Sequence, residues 1–190
     1  QTCVCANRIY AQDGIHDAFV EKLGIAVRAL KVGDGADADT NIGPLINMAA
    51  VEKIEAHIAD AVDKGGKIVV GGARSELGGS FFQPTLLTGA TRDMEVAQDE
   101  TFAPLAPVFR FSTEDEIIHA ANDTVYGLAA YFYARDLSKV WRVAEALEYG
   151  IVGVNTGLIS TEVAPFGGVK QSGLGREGSK YGIEDYLEIK

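Results

Sequence analysis

Segments with the pattern of strands and segments with the pattern of helices alternate along this chain of 190 residues. Short runs of branched and aromatic residues predict the strands, and apolar residues three and four positions apart predict the helices. Such an order is typical of parallel pairing, because a parallel neighbour is reached only through a long crossover connection. It predicts an α/β fold with a largely parallel sheet flanked by helices. No repeat, linker or low-complexity tract interrupts the pattern, so we expect one domain over residues 1–190.

Local signals predict the individual elements. Strands are expected over 2–10, 67–70, 82–87, 106–111, 128–133, 151–154 and 186–190. Helices are expected over 16–30, 49–64 and 114–122, and from a cap at Asp136 or Ser138 to Leu147. Pro84 lacks a backbone donor, and it marks 82–87 as an edge or irregular strand. Glycine-rich stretches predict loops over 32–43 and 167–182.

The charge of the chain limits its partners. Acidic residues number 27 against 17 basic ones, a formal net charge of −10. Such a surface repels nucleic acid and anionic membranes, and no apolar run approaches the ~20 residues of a membrane span. We therefore expect neither nucleic-acid nor membrane partners. The first residue is Gln1 rather than Met, from which we expect a piece of a longer protein.

Cys3 and Cys5 are the only two cysteines, and one residue separates them. They do not make a disulfide framework, and they favour a reducing, cytoplasmic setting. One interpretation makes them small buried side chains on the first strand, which is how free cysteine usually behaves. The other makes one of them a thiolate nucleophile. Spacing alone leaves both interpretations open.

The three histidines, His16, His57 and His119, fall on predicted helices. None is spaced from Cys3 or Cys5 as metal ligands are, so we expect no metal site and interpret all three as helix-surface residues. Nothing in the sequence places a histidine beside Cys3, which leaves a Cys–His protease dyad without support.

Gly173, Gly175 and Gly178 match the G-x-G-x-x-G pattern of dinucleotide-binding loops. That function requires a preceding strand in a βαβ unit and an acidic residue ~20 positions further on. This context is missing here. We expect instead a loop whose glycines adopt positive φ and allow close backbone packing.

Three separated motifs give the chain a family resemblance. They are Gln-Thr-Cys at 1–3, Glu-Thr-Phe-Ala-Pro at 100–104, and Pro-Phe-Gly-Gly at 165–168 with Ser-Gly-Leu-Gly-Arg-Glu at 172–177. In this order they resemble the catalytic domain of the aldehyde dehydrogenase superfamily, and the resemblance covers essentially all of the chain. With Gly-Leu-Ile-Ser at 157–160, the sequence is most similar to the branch that oxidises succinate semialdehyde.

The resemblance implies a catalytic-domain fold without the N-terminal dinucleotide-binding domain, in an enzyme that uses NAD or NADP to oxidise an aldehyde to a carboxylic acid. Cys3 would be the nucleophile, acting through a thiohemiacetal and a thioester. Glu100 would accept hydrogen bonds from the hydroxyls of the nicotinamide ribose, which suits a carboxylate. Phe102 would support the nicotinamide ring. Ala103 replaces the family's usual glycine, which bears on the local backbone angle.

Further roles follow from the same resemblance. Ser160 would help to bind the distal carboxylate of succinate semialdehyde, and Phe166 would line the aldehyde tunnel, although a core position explains Phe166 equally well. Cys5 would be a redox partner of Cys3. In an extended strand their Cα atoms lie ~6.5–7 Å apart, so a bond between them would require other geometry.

Other parts of such an enzyme would lie upstream of Gln1, namely the general base, the oxyanion amide and the substrate-binding arginines. The resemblance also implies a homo-oligomer, a dimer or a tetramer. Two alternatives remain. One is an aldehyde dehydrogenase with a different substrate, and the other is a non-catalytic binding or scaffold domain derived from a dehydrogenase.

Overall fold

Strands and helices are interspersed along the chain in a computed structural model that describes residues 1–190. The chain divides into two units, residues 1–112 and residues 113–190. The first contains β1 (Ile9–Gln12), α1 (His16–Arg28), α2 (Met48–Asp63), β2 (Lys67–Val70), β3 (Thr85–Ala90), α3 (Glu95–Gln98) and β4 (Leu105–Phe111). The second contains α4 (Glu114–Asn122), β5 (Ala129–Phe132), α5 (Leu137–Ala146) and β6 (Ile151–Val154). The assignment of residues 1–190 to one catalytic domain stays a prediction.

A four-stranded sheet in the order β1-β4-β3-β2 forms the centre of the first unit. β4 pairs in parallel with both β1 and β3, and β2 pairs antiparallel with β3. In the second unit β5 and β6 pair in parallel. The predicted α/β fold with a largely parallel sheet flanked by helices is therefore confirmed.

Successive residues of the central strands face opposite sides of the sheet, as the period of a strand requires. Leu87 and Phe109 belong to a buried cluster with residues of α2 and α3. Leu86 and Val108 belong to a second cluster, in which residues of α1 pack. The sheet is thus covered by helices on both faces, and this explains why its interior strands are rich in apolar residues.

Helix ends follow the local signals. Thr113 and Glu116 form a reciprocal capping box at the start of α4, and Gly65 adopts a φ of +95° directly after α2, as a C-terminal glycine does. The Asp136 side chain accepts a hydrogen bond from the Lys139 N–H, so Asp136 caps α5, and Ser138 lies inside the helix. None of the helices is long and apolar enough to span a bilayer.

Two strand predictions are wrong, and a third is confirmed in one of its two alternatives. β1 begins only at Ile9, because residues 2–5 form a turn closed by the Cys5 N–H and the Thr2 carbonyl oxygen. β3 is not an edge strand, because Pro84 precedes it and costs it no ladder hydrogen bond, but it is an irregular one, since its register shifts against both β2 and β4. Residues 186–190 form no strand, and the Ile189 side chain is fully exposed. The short helix α3 was not predicted at all.

Candidate active site

The thiols of Cys3 and Cys5 lie on an exposed turn at the start of the first unit. The turn is closed by a hydrogen bond of 3.0 Å from the Cys5 N–H to the Thr2 carbonyl oxygen. The interpretation of both cysteines as buried strand residues is therefore wrong. An exposed thiol can meet a solvent-borne electrophile, which a buried structural thiol cannot.

Cys5 has polar neighbours within this turn. Its sulfur lies 3.2 Å from the Thr2 Oγ1 atom. Partial burial raises the pKa of the Cys5 thiol, but hydrogen bonds from the side chain and backbone of Thr2 lower it, and the pKa lies below its usual value. The thiolate of Cys5 is therefore favoured relative to an ordinary cysteine.

Asn7, two residues beyond the cysteine turn, bonds a segment more than ninety residues further along the chain. Its Oδ1 atom accepts a hydrogen bond of 3.1 Å from the Thr101 N–H. Its Nδ2 atom donates one of 3.5 Å to the Asp99 carbonyl oxygen. The chain that follows the first sequence motif is thus bonded to the second motif at Thr101 and to Asp99 just ahead of it.

The segment that follows α3 exposes Glu100 and Phe102 on either side of the buried residue Thr101. Glu100 is exposed, and the Phe102 side chain is 46% exposed. Phe102 adopts a φ of +51°, which is unusual for a side chain of this size. The left-handed backbone is thus at Phe102 and not at Ala103, so alanine is compatible with the backbone at its own position.

Two of the three histidines are buried, which corrects the prediction that they lie on helix surfaces. His16 is 4% exposed and His57 is 3% exposed, whereas His119 is exposed as predicted. His57 falls between Ile54 and Ala61 on the apolar stripe of α2, at the spacing that places it on the buried face. That periodicity was the available signal, and it outweighs the polarity of the side chain.

His57 contacts the Glu100 segment directly. Its Nδ1 atom lies 2.9 Å from the Thr101 Oγ1 atom, and its Nε2 atom lies 3.6 Å from the nearer carboxylate oxygen of Asp99. Burial, with the positive charge of Lys53, lowers the pKa of His57 below its usual value, against the opposing effect of Asp99 and two further acids. The imidazole is therefore neutral near pH 7 and serves as a hydrogen-bonding group rather than a cation.

Ser160 and Phe166 lie on one loop of the second unit, between β6 and the glycine-rich tail. Ser160 is exposed. The loop leaves β6 through Asn155, which has a φ of +55° and whose amide pairs with both the N–H and the carbonyl oxygen of Ala134 at 2.9 Å each. Phe166 is half-buried, and its backbone exchanges two hydrogen bonds with Glu177. The loop is thus fastened at both ends.

The glycine-rich tail packs its backbone against the start of β5 and β6. The Gly127 carbonyl oxygen accepts hydrogen bonds from the N–H groups of both Gly150 and Val169, at 3.0 and 2.9 Å. Positive φ at Gly173, Gly175 and Gly178 confirms that these glycines serve a tight loop. Their fold context is not that of a dinucleotide-binding βαβ unit.

Cys3, Glu100 and Phe102 lie in the first unit, where Asn7 bonds the segment of Glu100 and Phe102 to the chain beyond the cysteine turn, and Ser160 and Phe166 lie on one loop of the second unit. Sequence reasoning missed Asn7 and Thr101. Asn7 gave no local signal, because its partners lie more than ninety residues away. The roles of the five predicted residues stay predictions, and so does the redox role of Cys5.

Comparisons with known proteins bear on the whole chain. The sequence model of the aldehyde dehydrogenase family matches residues 1–190. A succinate-semialdehyde dehydrogenase [NADP(+)] of Escherichia coli (strain K12) is 66% identical over all of this chain, and so is a glutarate-semialdehyde dehydrogenase of Pseudomonas aeruginosa. The crystal structure of a succinate-semialdehyde dehydrogenase from Burkholderia pseudomallei superimposes on the whole chain with a TM-score of 0.98 at 63% identity. The chain spans 39% of the length of each of these three proteins.

Proposed function

The chain belongs to the aldehyde dehydrogenase family, and from this premise we propose that it is the catalytic part of an NAD(P)-dependent enzyme that oxidises an aldehyde to a carboxylic acid. One observation carries the proposal. Asn7, two residues beyond the exposed turn of Cys3, is hydrogen-bonded to the segment that presents Glu100 and Phe102. A nucleophile and a cofactor-binding segment must be adjacent for such a reaction, and this connection holds them in one unit.

The residues around Phe102 fit a nicotinamide cofactor by their own chemistry. The exposed carboxylate of Glu100 offers acceptors to two hydroxyls at once, which suits a ribose diol. The half-exposed ring of Phe102 offers an apolar face to a planar heterocycle. A bound nicotinamide supplies the acceptor for the hydride. Glu100 and Phe102 would orient it, and some relatives are named as NADP(+)-dependent enzymes.

Cys3 would carry out the covalent chemistry. Its thiolate attacks the aldehyde carbonyl carbon and forms a C–S bond, and the carbonyl oxygen takes the negative charge. The Cys3 N–H is the backbone donor closest in the chain to that oxyanion, and we assign it to stabilising the charge. Loss of hydride from this thiohemiacetal gives a thioester on Cys3. Water then cleaves the C–S bond, and this releases the acid and the free thiol.

The substrate that we propose is succinate semialdehyde. The relatives with 66% identity are named for succinate semialdehyde and glutarate semialdehyde, which both carry a carboxylate at the end opposite the aldehyde. Ser160 is exposed on its loop and can donate a hydrogen bond to such a carboxylate. One methylene separates the two substrates, and a difference of that size is worth only about 1–3 kcal/mol.

Steady-state kinetics of the full-length protein that contains this chain would test the proposal. The substrates would be succinate semialdehyde, glutarate semialdehyde and butanal, each with NAD and with NADP. We expect kcat/KM for succinate semialdehyde to exceed that for butanal by roughly 10- to 150-fold, the value of one charge-assisted hydrogen bond. Equal rates with butanal would contradict the substrate, and no reduced cofactor with any aldehyde would favour a binding or scaffold domain instead.

Glu100→Gln in the full-length protein should slow hydride transfer. The change keeps the shape of the side chain but removes the charge that strengthens hydrogen bonds to the ribose, a loss of about 1.5–3 kcal/mol, or roughly 10- to 150-fold in rate. The rate of hydride transfer is measured as the formation of reduced cofactor in a single turnover. Glu76→Gln, at an exposed glutamate outside the site, is the matched control and should behave as wild type. Unchanged hydride transfer in Glu100→Gln would remove Glu100 from the cofactor site.

We also propose Cys5 as the resolving thiol of Cys3. Both thiols are exposed on a turn rather than on an extended strand, and a turn brings residues two apart closer together than a strand does. Peroxide would convert the Cys3 thiol to a sulfenic acid, and the Cys5 thiol would displace water from it to form a disulfide. After mild peroxide treatment, we expect dithiothreitol to restore the activity of the wild-type protein more fully than the activity of Cys5→Ala. Equal loss and equal recovery in the two proteins would contradict the switch.

We further propose that the protein forms a homo-oligomer, either a dimer or a tetramer. Its setting would be reducing and cytoplasmic. Two exposed free thiols suit a reducing compartment. Leu137 and Trp141, on one face of α5, are 70% and 60% exposed, an apolar surface of the kind that interfaces cover. Light scattering that gave the mass of one full-length chain would contradict the oligomer. Recovery of the protein from a secreted or membrane fraction would contradict the compartment.

A further inference from the structure

Thr101 is the buried centre of an otherwise exposed segment. Glu100 before it and Phe102 after it are exposed, whereas Thr101 is only 4% exposed. Its hydroxyl lies 2.9 Å from the His57 Nδ1 atom, and its N–H donates a hydrogen bond of 3.1 Å to the Asn7 Oδ1 atom. Side chain and backbone are thus fixed by partners on two different elements of the first unit.

His57 is a rigid partner for this hydroxyl. It lies on the buried face of α2, where it is 3% exposed and flanked by Ile54 and Ile58 of the main apolar cluster. Its other ring nitrogen faces Asp99, which pairs with Lys53 at 2.9 Å. The imidazole therefore cannot turn away from Thr101 without leaving a buried polar atom unpaired.

The backbone at Phe102 requires such support. A φ of +51° lies in a sparsely populated region for a bulky residue, and such a conformation persists only where its surroundings hold it. On its far side the chain is held by a hydrogen bond of 2.8 Å from the Thr85 N–H to the Pro104 carbonyl oxygen. Thr101 is the corresponding anchor on the near side.

We propose that Thr101, held between His57 and Asn7, is a positioning residue that sets the orientation of Glu100 and Phe102 toward the nicotinamide cofactor. This inference rests on the proposed function and deepens it. Glu100 and Phe102 touch the cofactor, whereas Thr101 acts only through them. A small displacement of such groups is enough to lower the rate of a reaction that depends on alignment.

Thr101→Val in the full-length protein tests the proposal, because valine keeps the shape and removes the hydroxyl. We expect KM for the cofactor to rise and single-turnover hydride transfer to fall, each by about tenfold, with Thr101→Ser close to wild type. Thr88→Val is the matched control, because the Thr88 hydroxyl likewise faces a buried histidine, at 3.4 Å from the His16 Nε2 atom. It should lower the melting temperature by a similar amount and leave both kinetic values unchanged.

Asn7→Ala is a second variant, at a half-buried position, and it should shift both kinetic values in the same direction. Hydrogen exchange over residues 99–104 gives a readout that does not depend on activity, and it should become faster in Thr101→Val but not in Thr88→Val. Unchanged exchange, or unchanged cofactor kinetics in an active enzyme, would overturn the inference. A wild-type protein that reduces no cofactor would instead overturn the proposed function and, with it, the cofactor role of Thr101.

Discussion

Cys3→Ser in the full-length enzyme is expected to abolish aldehyde oxidation. A serine hydroxyl is almost entirely protonated at neutral pH and is a far weaker nucleophile than a thiolate, and the turn provides no base to activate it. We expect kcat to fall by roughly 10³-fold or more, as losses of a nucleophile do. Because Cys3 is exposed and makes no core contact, cofactor binding and melting temperature should stay close to wild type.

Cys5→Ser is the control for this experiment. It changes the same atom type on the same turn, two residues away, and it should leave most of the activity intact. Reduced-cofactor formation under saturating aldehyde measures both variants, and calorimetric titration with NAD(P) verifies that the Cys3→Ser protein is folded and binds. If Cys5→Ser lost activity and Cys3→Ser kept it, the nucleophile would be Cys5.

Gly150→Ala should disrupt the loop that carries Phe166. A Cβ atom on Gly150 would overlap the carbonyl oxygen of Gly167 and lie 2.8 Å from its carbonyl carbon and 2.9 Å from the Gly168 Cα atom. These are backbone atoms that no side-chain rotation can move. Accommodating the methyl group requires displacement of the 165–168 segment, and overpacking of this kind costs about 3 kcal/mol.

Two measurements would reveal the disruption. We expect the melting temperature of the full-length Gly150→Ala protein to fall by several degrees, and KM for the aldehyde to rise while KM for the cofactor does not. Gly157→Ala is the stability control, since the nearest atom to its added Cβ is the Tyr133 hydroxyl at 3.8 Å, an ordinary contact. A Gly150→Ala protein as stable as Gly157→Ala would show that the tail can move away at little cost.

Elements whose signals are contained within a few residues were predictable from the sequence. The capping box at Thr113, the glycine after α2 and the positive φ of Gly173 and Gly175 all depend on local backbone geometry. The strand predicted over 2–10 was wrong because side-chain type alone suggested it, while a hydrogen bond between Thr2 and Cys5 closes a turn there. Pro84 was misleading for a related reason. It suggested an edge or irregular strand, and although β3 has register shifts against both neighbours, Pro84 precedes the strand and takes no part in the ladder.

The candidate site was predictable only in part. The positions of Cys3, Glu100 and Phe166 came from motif resemblance. The bond between Asn7 and Thr101 could not be predicted in that way, because the two residues are more than ninety positions apart. The helical periodicity of α2 could have predicted the burial of His57, but the polarity of the side chain suggested a position on the surface. These contacts could not be predicted because their residues lie far apart in the sequence, and not because their local propensities are weak.

The left-handed backbone of Phe102 also bears on how the protein can be made more resistant to heat. Thermostabilising designs commonly replace a bulky residue at positive φ with glycine or asparagine, which relieves strain. At Phe102 that exchange would remove the ring assigned to the nicotinamide, so greater heat resistance would come with slower turnover. Ser179 shares the same backbone region, with a φ of +52°, and has no assigned role in the reaction. The better position for an engineer to begin with is therefore Ser179, where asparagine keeps a short polar side chain and tolerates the left-handed conformation.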